Sequence, residues 1–245
     1  MRVALIADIH GNLPALEAVL ADLAQQAPDA VVNLGDHLSG PLWAAATADR
    51  LMREPWLHIR GNHDRQLLDR APAQMGPSDQ AAYAELHDGH KAWLAQLPAT
   101  ASAHGLYLCH GTPGSDTAYL LEEPGALLSP APAIEGRLNG LQAPFIVCGH
   151  SHIPRVATLS SGQLAVNPGS AGLPAYDAGD HYMECGSPHA RYALFDTATR
   201  AVDLRAIEYD WSSAAERAAA RDRPDWACAL RTGYALRASL PPSER

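Results

Sequence analysis

The chain has 245 residues, 47% of them hydrophobic, and a formal net charge of -9. This length is sufficient for one large α/β domain with a buried core, and we expect a single domain over residues 1–245. The acidic charge disfavours an extended nucleic-acid surface, and no apolar stretch approaches the roughly 20 residues of a membrane helix. Neither Gly-Lys-Ser nor Gly-Lys-Thr occurs in the sequence, which excludes a P-loop.

The first sixty residues alternate between strand and helix patterns. Apolar runs of strand length occupy residues 2–7, 29–34 and 56–59. Between them, segments with leucine or alanine at helical spacing occupy residues 13–23 and 42–52. Right-handed crossovers make such a β-α-β-α-β run a parallel sheet. Residues 1–7 lead directly into Asp8, so we expect no cleavable signal before the fold.

The middle of the chain predicts additions to this sheet. We expect a helical insertion over about 65–103, with helices at 66–70 and 80–97, either over the site or on its flank. Residues 112–143 are rich in Gly, Pro and Ala and have weak periodicity, which indicates an irregular segment with a lid role.

The second half of the chain is richer in short strands. Strand patterns occupy 106–109, 145–148, 155–159 and 163–166, a long loop follows at 172–188, and a closing hairpin spans 190–196 and 201–209. A C-terminal helical segment over about 212–237 is interrupted at Pro224. Packing the mostly parallel first half face to face on the hairpin-rich second half gives a sandwich with helices outside.

Polar side chains follow five of the predicted strands at the points where these strands end. The residues in question are Asp8, His10, Asp36, Asn62, His63, Asp64, His110, His150 and His152. Because loops at the carboxyl ends of strands in one open sheet converge, we expect a single cluster. The one-residue spacing within Asp8-x-His10 and His150-x-His152 turns both side chains of each pair to one side of an extended backbone.

These residue types are ligands for divalent metal ions. Carboxylate, imidazole and amide oxygen suit manganese, iron, zinc, nickel or magnesium, of which we favour manganese, and no thiolate is offered. The seven candidate ligands are Asp8, His10, Asp36, Asn62, His110, His150 and His152. They are enough for two ions if Asp36 bridges them. Two ions bring four positive charges and the two carboxylates cancel two, so the cluster attracts phosphate and favours phosphoester hydrolysis.

His63 is the predicted general acid or transition-state stabiliser, with Asp64 as the carboxylate that supports it. Further residues near the predicted site are candidates for substrate contacts, although a surface or salt-bridged role is open for each: His37, Arg60, Arg65, Tyr176 and His181. The four cysteines show no close pairing, which is typical of a reduced, cytoplasmic protein.

The order and spacing of these motifs resemble those of the calcineurin-like metallophosphoesterase superfamily. The matching motifs are Asp8-x-His10, Gly35-Asp36, Gly61-Asn62-His63-Asp64, His110, Gly149-His150-x-His152 and the turn Asn167-Pro168-Gly169-Ser170. The resemblance implies a four-layer α/β/β/α sandwich and makes His63 the catalytic histidine. It also implies that one ion is held by Asp8, His10, Asp36 and His152, and the other by Asp36, Asn62, His110 and His150.

Two departures narrow the choice within that family. The protein phosphatase branch has an Asp-Arg pair shortly after the bridging aspartate, whereas this chain has His37-Leu38-Ser39-Gly40 and so lacks a phosphate-clamping arginine at that place. Other members have the motif Gly-Asp-x-x-Asp, and Ser39 occupies the position of its second Asp. The sequence is most similar to small bacterial metallophosphoesterases, several of which are phosphodiesterases. We therefore expect a phosphodiesterase that uses a metal-bridging hydroxide on a small phosphorylated substrate.

Alternatives stay open at this point. The first alternative is a phosphomonoesterase or nucleoside polyphosphate hydrolase, which needs additional cationic side chains to bind a terminal phosphate. The second alternative is a non-catalytic metal-binding scaffold. The Ala- and Arg-rich C-terminal segment is compatible with a packed surface helix or with a contact in a homo-oligomer.

Overall fold

The computed structural model describes residues 1–237, and in that part of the chain two five-stranded sheets share one core. The strands are β1 (Arg2–Ile6), β2 (Ala30–Asn33), β3 (Leu57–His58), β4 (Thr100–Ala103), β5 (Leu106–Cys109), β6 (Glu122–Glu123), β7 (Leu127–Leu128), β8 (Phe145–Val147), β9 (Arg155–Thr158), β10 (Leu164–Asn167), β11 (Ala175–Asp177), β12 (Tyr182–Glu184), β13 (Ala190–Asp196) and β14 (Val202–Ile207). The helices are α1 (Leu13–Gln26), α2 (Ala44–Leu51), α3 (Asn62–Asp69), α4 (Pro77–Tyr83), α5 (Asp88–Gln96), α6 (Ala131–Leu138), α7 (Trp211–Ala220) and α8 (Pro224–Thr232).

The first sheet has the strand order β14-β13-β1-β2-β3. Strands β1, β2 and β3 are parallel, as their alternation with helices predicts. The closing hairpin joins this same sheet, because β13 pairs antiparallel with β1 and β14 pairs with β13.

The second sheet has the order β4-β5-β8-β10-β9, with β5, β8 and β10 parallel. The expectation that all five site-bearing strands lie in one open sheet is therefore wrong. Strands β1, β2 and β3 lie in the first sheet, and β5 and β8 lie in the second. The local apolar pattern of a strand identifies the strand, but its pairing partner is a long-range choice.

Side chains of β1 show how the layers form. Val3 and Leu5 are fully buried in the core between the sheets, whereas Ala4 and Ile6 are buried on the opposite face against α1. This alternation follows from the two-residue period of a strand. The outer face of the second sheet is covered by α6, whose Ile134 packs in the cluster that contains Ile146 of β8. The layers are thus helix, sheet, sheet and helix, as expected.

The segment predicted as a helical insertion over 65–103 is mostly helical but is divided differently. Its first helix, α3, begins earlier, at Asn62, and the single helix expected over 80–97 is two helices. The break has a local cause, because the His87 side chain accepts hydrogen bonds from the backbone N–H groups of Gly89 and His90 and so caps α5. The last residues of the segment form β4 in the second sheet.

The segment 112–143 is only partly irregular, because it contains β6, β7 and α6, and a lid role for it stays a prediction. Helix α6 is an outer layer of the sandwich, with Ile134 and Leu138 buried against the second sheet. The predicted loop 172–188 contains the β11-β12 hairpin. The C-terminal segment is two helices, and Pro224 starts the second one, where a missing N–H has no cost. No helix within residues 1–237 has the length and apolar character needed to cross a membrane.

Candidate metal centre

The candidate ligands from the two sheets meet at one place in the structure. The candidate ligands here include two groups, in each of which the ligand atoms lie within 4.8 Å of one another: Asp8, His10 and His152 form the first, and Asp36, His110 and His150 form the second. Asp36 Oδ2 lies 3.9 Å from His10 Nε2 and 3.3 Å from His110 Nε2, and is therefore close to histidines of both groups. The seventh candidate, Asn62, places Oδ1 3.1 Å from His110 Nε2.

Five of these ligands have an unusual backbone. Asp8, His10, Asp36, His150 and His152 all have φ between 51° and 69°. Non-glycine residues seldom adopt this left-handed region, and they keep it where the surrounding structure imposes it. The strand ends are thus bent sharply so that their side chains turn into one cluster.

Asp36 is fixed by the start of α3. Its Oδ1 accepts a hydrogen bond from the backbone N–H of His63 at 2.9 Å, at a helix N-terminus where the free N–H groups favour an anion. Gly61 makes this approach possible, because a Cβ at that position would lie 2.1 Å from Asp36 Oδ1. The glycine that precedes Asn62 is therefore required by the close contact with the neighbouring loop.

The turn Asn167–Ser170 supports the ligand loops from behind. Asn167 Nδ2 donates to the backbone oxygen of Gly149 at 2.7 Å, and Ser170 Oγ donates to the backbone oxygen of Asp8 at 2.7 Å. The Asp8 carboxylate accepts from the backbone N–H of His150 at 3.1 Å. These bonds connect a loop of the first sheet with a loop of the second.

The histidine tautomers indicate a place for a cation. His10 Nδ1 and His152 Nδ1 each lie 2.7 Å from a backbone carbonyl oxygen, so both donate a proton there. The two Nε2 atoms then carry lone pairs and face each other at 3.1 Å. Two facing lone pairs at this distance repel each other, and a proton or a metal ion between the two nitrogens would remove that repulsion.

The electrostatics of the whole cluster lead to the same conclusion. Burial alone would lower the pKa of His110, but the carboxylates of Asp36 and Asp8 raise it to about 10. Burial raises the pKa of Asp8 to about 8 and lowers that of His150 to about 3. At neutral pH the buried cluster thus holds protons beside its carboxylates, and a divalent ion would displace them. The donor set fits divalent metal ions well.

His63 does not pair with Asp64, and that prediction is wrong. His63 Nδ1 lies 2.8 Å from Asp79 Oδ1 instead. Adjacent residues on a helix do not face each other, and residues 63 and 64 both lie in the first turn of α3. The Asp64 carboxylate points back and accepts from the backbone N–H groups of Gly61, Asp36 and His37 at 2.8–3.0 Å. Asp64 therefore shapes the loop that carries Asp36.

The comparisons with known proteins agree with this geometry. Residues 1–199 match the family model described as the calcineurin-like phosphoesterase superfamily domain. The chain belongs to this superfamily. Among curated proteins, this member is 24% identical to an uncharacterised protein of Methanocaldococcus jannaschii over 91% of the chain and 94% of that protein.

Solved structures show the same fold. A metallophosphoesterase from Sphaerobacter thermophilus is 23% identical in sequence and superposes with a TM-score of 0.75. The match covers 94% of this protein's chain and 98% of the Sphaerobacter chain. A hypothetical protein from Pyrococcus horikoshii is 20% identical, also with a TM-score of 0.75, over 96% and 99% of the two chains.

Four of the predicted substrate contacts do not line the cavity beside the metal ligands. The His37 ring is fully buried and bonds Asp64 and His58, so it does not reach substrate. Arg65 forms a two-pronged ion pair with Asp116. The remaining two, Arg60 and His181, are also absent from the cavity wall.

Tyr176 does line the cavity of this family member, next to the ligand histidines. Its hydroxyl donates to the backbone oxygen of His150 at 3.1 Å, and its ring packs edge-on to His152 at 4.7 Å between centroids. The cavity has a volume of about 390 Å³, which suits a small substrate. A contact of Tyr176 with substrate stays a prediction.

Sequence reasoning missed two residues of the wall and one residue behind it. Ser39, in the loop after Asp36, and Trp226 of α8, beyond the part that matches the family model, line the cavity. Asp79, in the first turn of α4, does not line the cavity but contacts His63 from behind. An acidic residue soon after Gly-Pro-Ser is an ordinary helix start. Nothing in the sequence around Asp79 separates it from such a start, and only the fold brings it to His63.

Proposed function

We propose that the protein is a binuclear metal-dependent phosphodiesterase that acts on a small phosphodiester. Membership of the calcineurin-like phosphoesterase superfamily supports a metal-dependent phosphoesterase. Asp8, His10 and His152 would hold one ion and His110, Asn62 and His150 the other, with Asp36 between them. Bound ions would supply an activated hydroxide and would stabilise negative charge on the phosphoryl oxygens, with manganese our favoured metal.

The choice of a diester rests on the charge of the cavity wall. Among the cavity-lining residues within 1–237, Arg223 is the one arginine or lysine. Its guanidinium is already engaged, because it binds both carboxylate oxygens of Asp225 and donates to Ser78 Oγ at 2.9 Å. A diester carries a single negative charge at the phosphorus, so the metal centre is sufficient for it. A monoester or a terminal phosphate of a polyphosphate calls for further cationic contacts.

The protein's own groups have separate tasks in this reaction. Asp36 is held in place by the N-terminus of α3, and the histidine ligands are held in one tautomer by backbone carbonyl groups. His63 lines the cavity, and within residues 1–237 its Nε2 has no hydrogen-bond partner. This nitrogen would protonate the leaving-group oxygen. The apolar surface of Trp226 and Leu173 closes one side of the cavity.

Hydrolysis of matched chromogenic substrates tests this proposal. Metal-stripped protein would be assayed with bis(para-nitrophenyl) phosphate and para-nitrophenyl phosphate, each with added manganese, nickel, magnesium or zinc. We expect faster turnover of the diester, and a loss of about 100-fold or more in His63→Ala. Faster turnover of the monoester would favour the phosphomonoesterase alternative. Absence of turnover in protein with two bound metal ions would favour the scaffold.

A further inference from the structure

His63 hydrogen-bonds a buried carboxylate from a different helix. The bond joins His63 Nδ1 to Asp79 Oδ1 at 2.8 Å, and Asp79 is 1% exposed. The His63 side chain, by contrast, is 32% exposed and lines the cavity. One ring nitrogen is therefore committed to Asp79, and the other is left to face a substrate.

The carboxylate of Asp79 is held in this position by the loop that follows Asp36. Ser39 Oγ donates to the same Oδ1 atom at 2.6 Å. The backbone N–H of Gly40 donates to the backbone oxygen of Ser78 at 3.2 Å, which fixes the start of α4 on this loop. Within residues 1–237, the side chain of Asp79 bonds only Ser39 and His63. A buried carboxylate is stable only when such partners compensate it.

Ser39 also connects this carboxylate with the metal ligands. Its backbone oxygen accepts a hydrogen bond from His10 Nδ1 at 2.7 Å, and its Oγ lies 3.3 Å from His63 Nδ1. A change at position 39 therefore reaches both His10 and His63. The same short distance means that a carboxylate placed at position 39 would reach the His63 ring.

We propose that Asp79 is the positioning residue of His63, a role that the helical insertion contributes to the active site. This inference rests on the proposed function. Asp79 accepts the Nδ1–H bond, which fixes the ring and its tautomer and stabilises the imidazolium, so that Nε2 carries the transferable proton.

The step balances with water as the only co-reactant. A hydroxide oxygen forms the new bond to phosphorus, and the bond from phosphorus to the leaving oxygen breaks. The proton on His63 Nε2 passes to that leaving oxygen. Water supplies both the hydroxide and the proton that returns to His63.

A double-mutant cycle separates positioning from a purely structural role. We expect Asp79→Asn to lower kcat for a diester about 10- to 100-fold, with KM within about twofold and both metal ions retained. In a His63→Ala background the same change should have no further effect, because Asp79 acts through His63. An equal loss in both backgrounds would overturn the proposal. Asp88→Asn, at an exposed position of the same insertion, serves as the control and should match wild type.

The leaving group provides a second readout. A positioned proton donor matters most when the leaving oxygen is basic, so the loss in Asp79→Asn should grow from nitrophenyl to alkyl esters. A loss that is the same for every leaving group would contradict the role. In the exchange variant Ser39→Asp/Asp79→Ser, we expect kcat to recover at least about tenfold over Asp79→Ser, since position 39 also reaches the ring.

Proton NMR tests the contact without any substrate. An imidazole N–H bonded to a carboxylate gives a resonance shifted far downfield, and the signal of His63 Nδ1–H should disappear in both His63→Ala and Asp79→Asn. If wild type hydrolyses no diester, the proposed function fails while this spectrum still decides on Asp79. A downfield signal that is lost in His63→Ala and unchanged in Asp79→Asn would overturn the inference about Asp79.

Discussion

Gly61 is a residue at which one methyl group should abolish the metal site. A Cβ there would lie 2.1 Å from Asp36 Oδ1 and 2.5 Å from the backbone nitrogen of Asp36. Since the collision is with the proposed bridging ligand, we expect Gly61→Ala to lose at least one bound metal ion and to lower kcat about 100-fold or more. Metal analysis of the purified protein and diester turnover measure these two effects.

Gly136 is the matched control for this substitution. It lies inside α6, where a Cβ would have no atom within 4 Å. Gly136→Ala should leave metal content and kcat unchanged and should raise the free energy of unfolding by about 0.5–1 kcal/mol, because alanine is the better helix former. A Gly61→Ala protein with two bound ions would show that Asp36 can move without loss of the site.

Glu122 is a buried acid that should make stability fall as pH rises. Burial raises the pKa of Glu122 to about 7. The positive charge of Arg155 lowers this pKa by a smaller amount, because its Nε lies 3.7 Å from Glu122 Oε1, too far for a hydrogen bond. The unfolded chain releases this proton near pH 4.5. Between these two values the folded state binds more protons than the unfolded state, so its contribution to stability is lost as pH increases.

Glu122→Gln should remove this pH dependence. Relative to wild type, we expect the variant to gain on the order of 2–3 kcal/mol between pH 5 and pH 8, with a difference close to zero below pH 4. Urea unfolding at several pH values measures it, and Glu123→Gln on the neighbouring, more exposed residue controls for the loss of one charge. A difference that stays constant with pH would contradict the account.

At the scale of elements, α6 can be distinguished experimentally from a lid. Ile134 is 1% exposed and packs against the second sheet, so Ile134→Ala should lower the free energy of unfolding by about 2–5 kcal/mol. KM and kcat of the folded variant should stay at wild-type values, whereas a lid would change both. Leu127→Ala, at a position that is 66% exposed, should change stability by less than about 0.5 kcal/mol.

The elements also show how far the sequence could be interpreted. Strand ends with Asp or His were predictable, because an apolar run that stops at a polar pair is a local signal, and the structure brings all seven candidate ligands together. The pairing of Asp64 with His63 follows from their adjacency in the sequence, and it is wrong because α3 begins at Asn62 and adjacent residues on a helix do not face each other. Contacts such as that of Asp79 with His63 depend on how α4 packs, which no local pattern encodes.

At the scale of the whole molecule, the candidate metal ligands come from both sheets of the sandwich. Asp8, His10 and Asp36 follow strands of the first sheet, and His110, His150 and His152 follow strands of the second. The sequence predicts two sheets, one from each half of the chain, but not which sheet each strand joins, since β5 and β8 have the same apolar pattern as β1 and β2. The closing hairpin of the second half, β13 and β14, joins the first sheet. The candidate metal centre thus lies between the two halves of the sandwich.

Because the ligands come from both sheets, bound metal should stabilise the packing of one sheet on the other. An ion that binds only the folded chain adds about 2.7 kcal/mol to the free energy of unfolding at a concentration 100 times its Kd. Removal of metal with a chelator should therefore lower Tm by several degrees, and added manganese should restore it.

Variants from each sheet test whether the effect depends on the bridge. Asp36→Asn on the first sheet and His110→Ala on the second should each reduce the rise in Tm caused by manganese, because each removes a ligand of the same ion. Asp88→Asn, which is exposed and distant in sequence from every ligand, should keep the full rise. If manganese raised Tm equally in all three variants, the ion would bind elsewhere, and the two sheets would be held together by their shared apolar core alone.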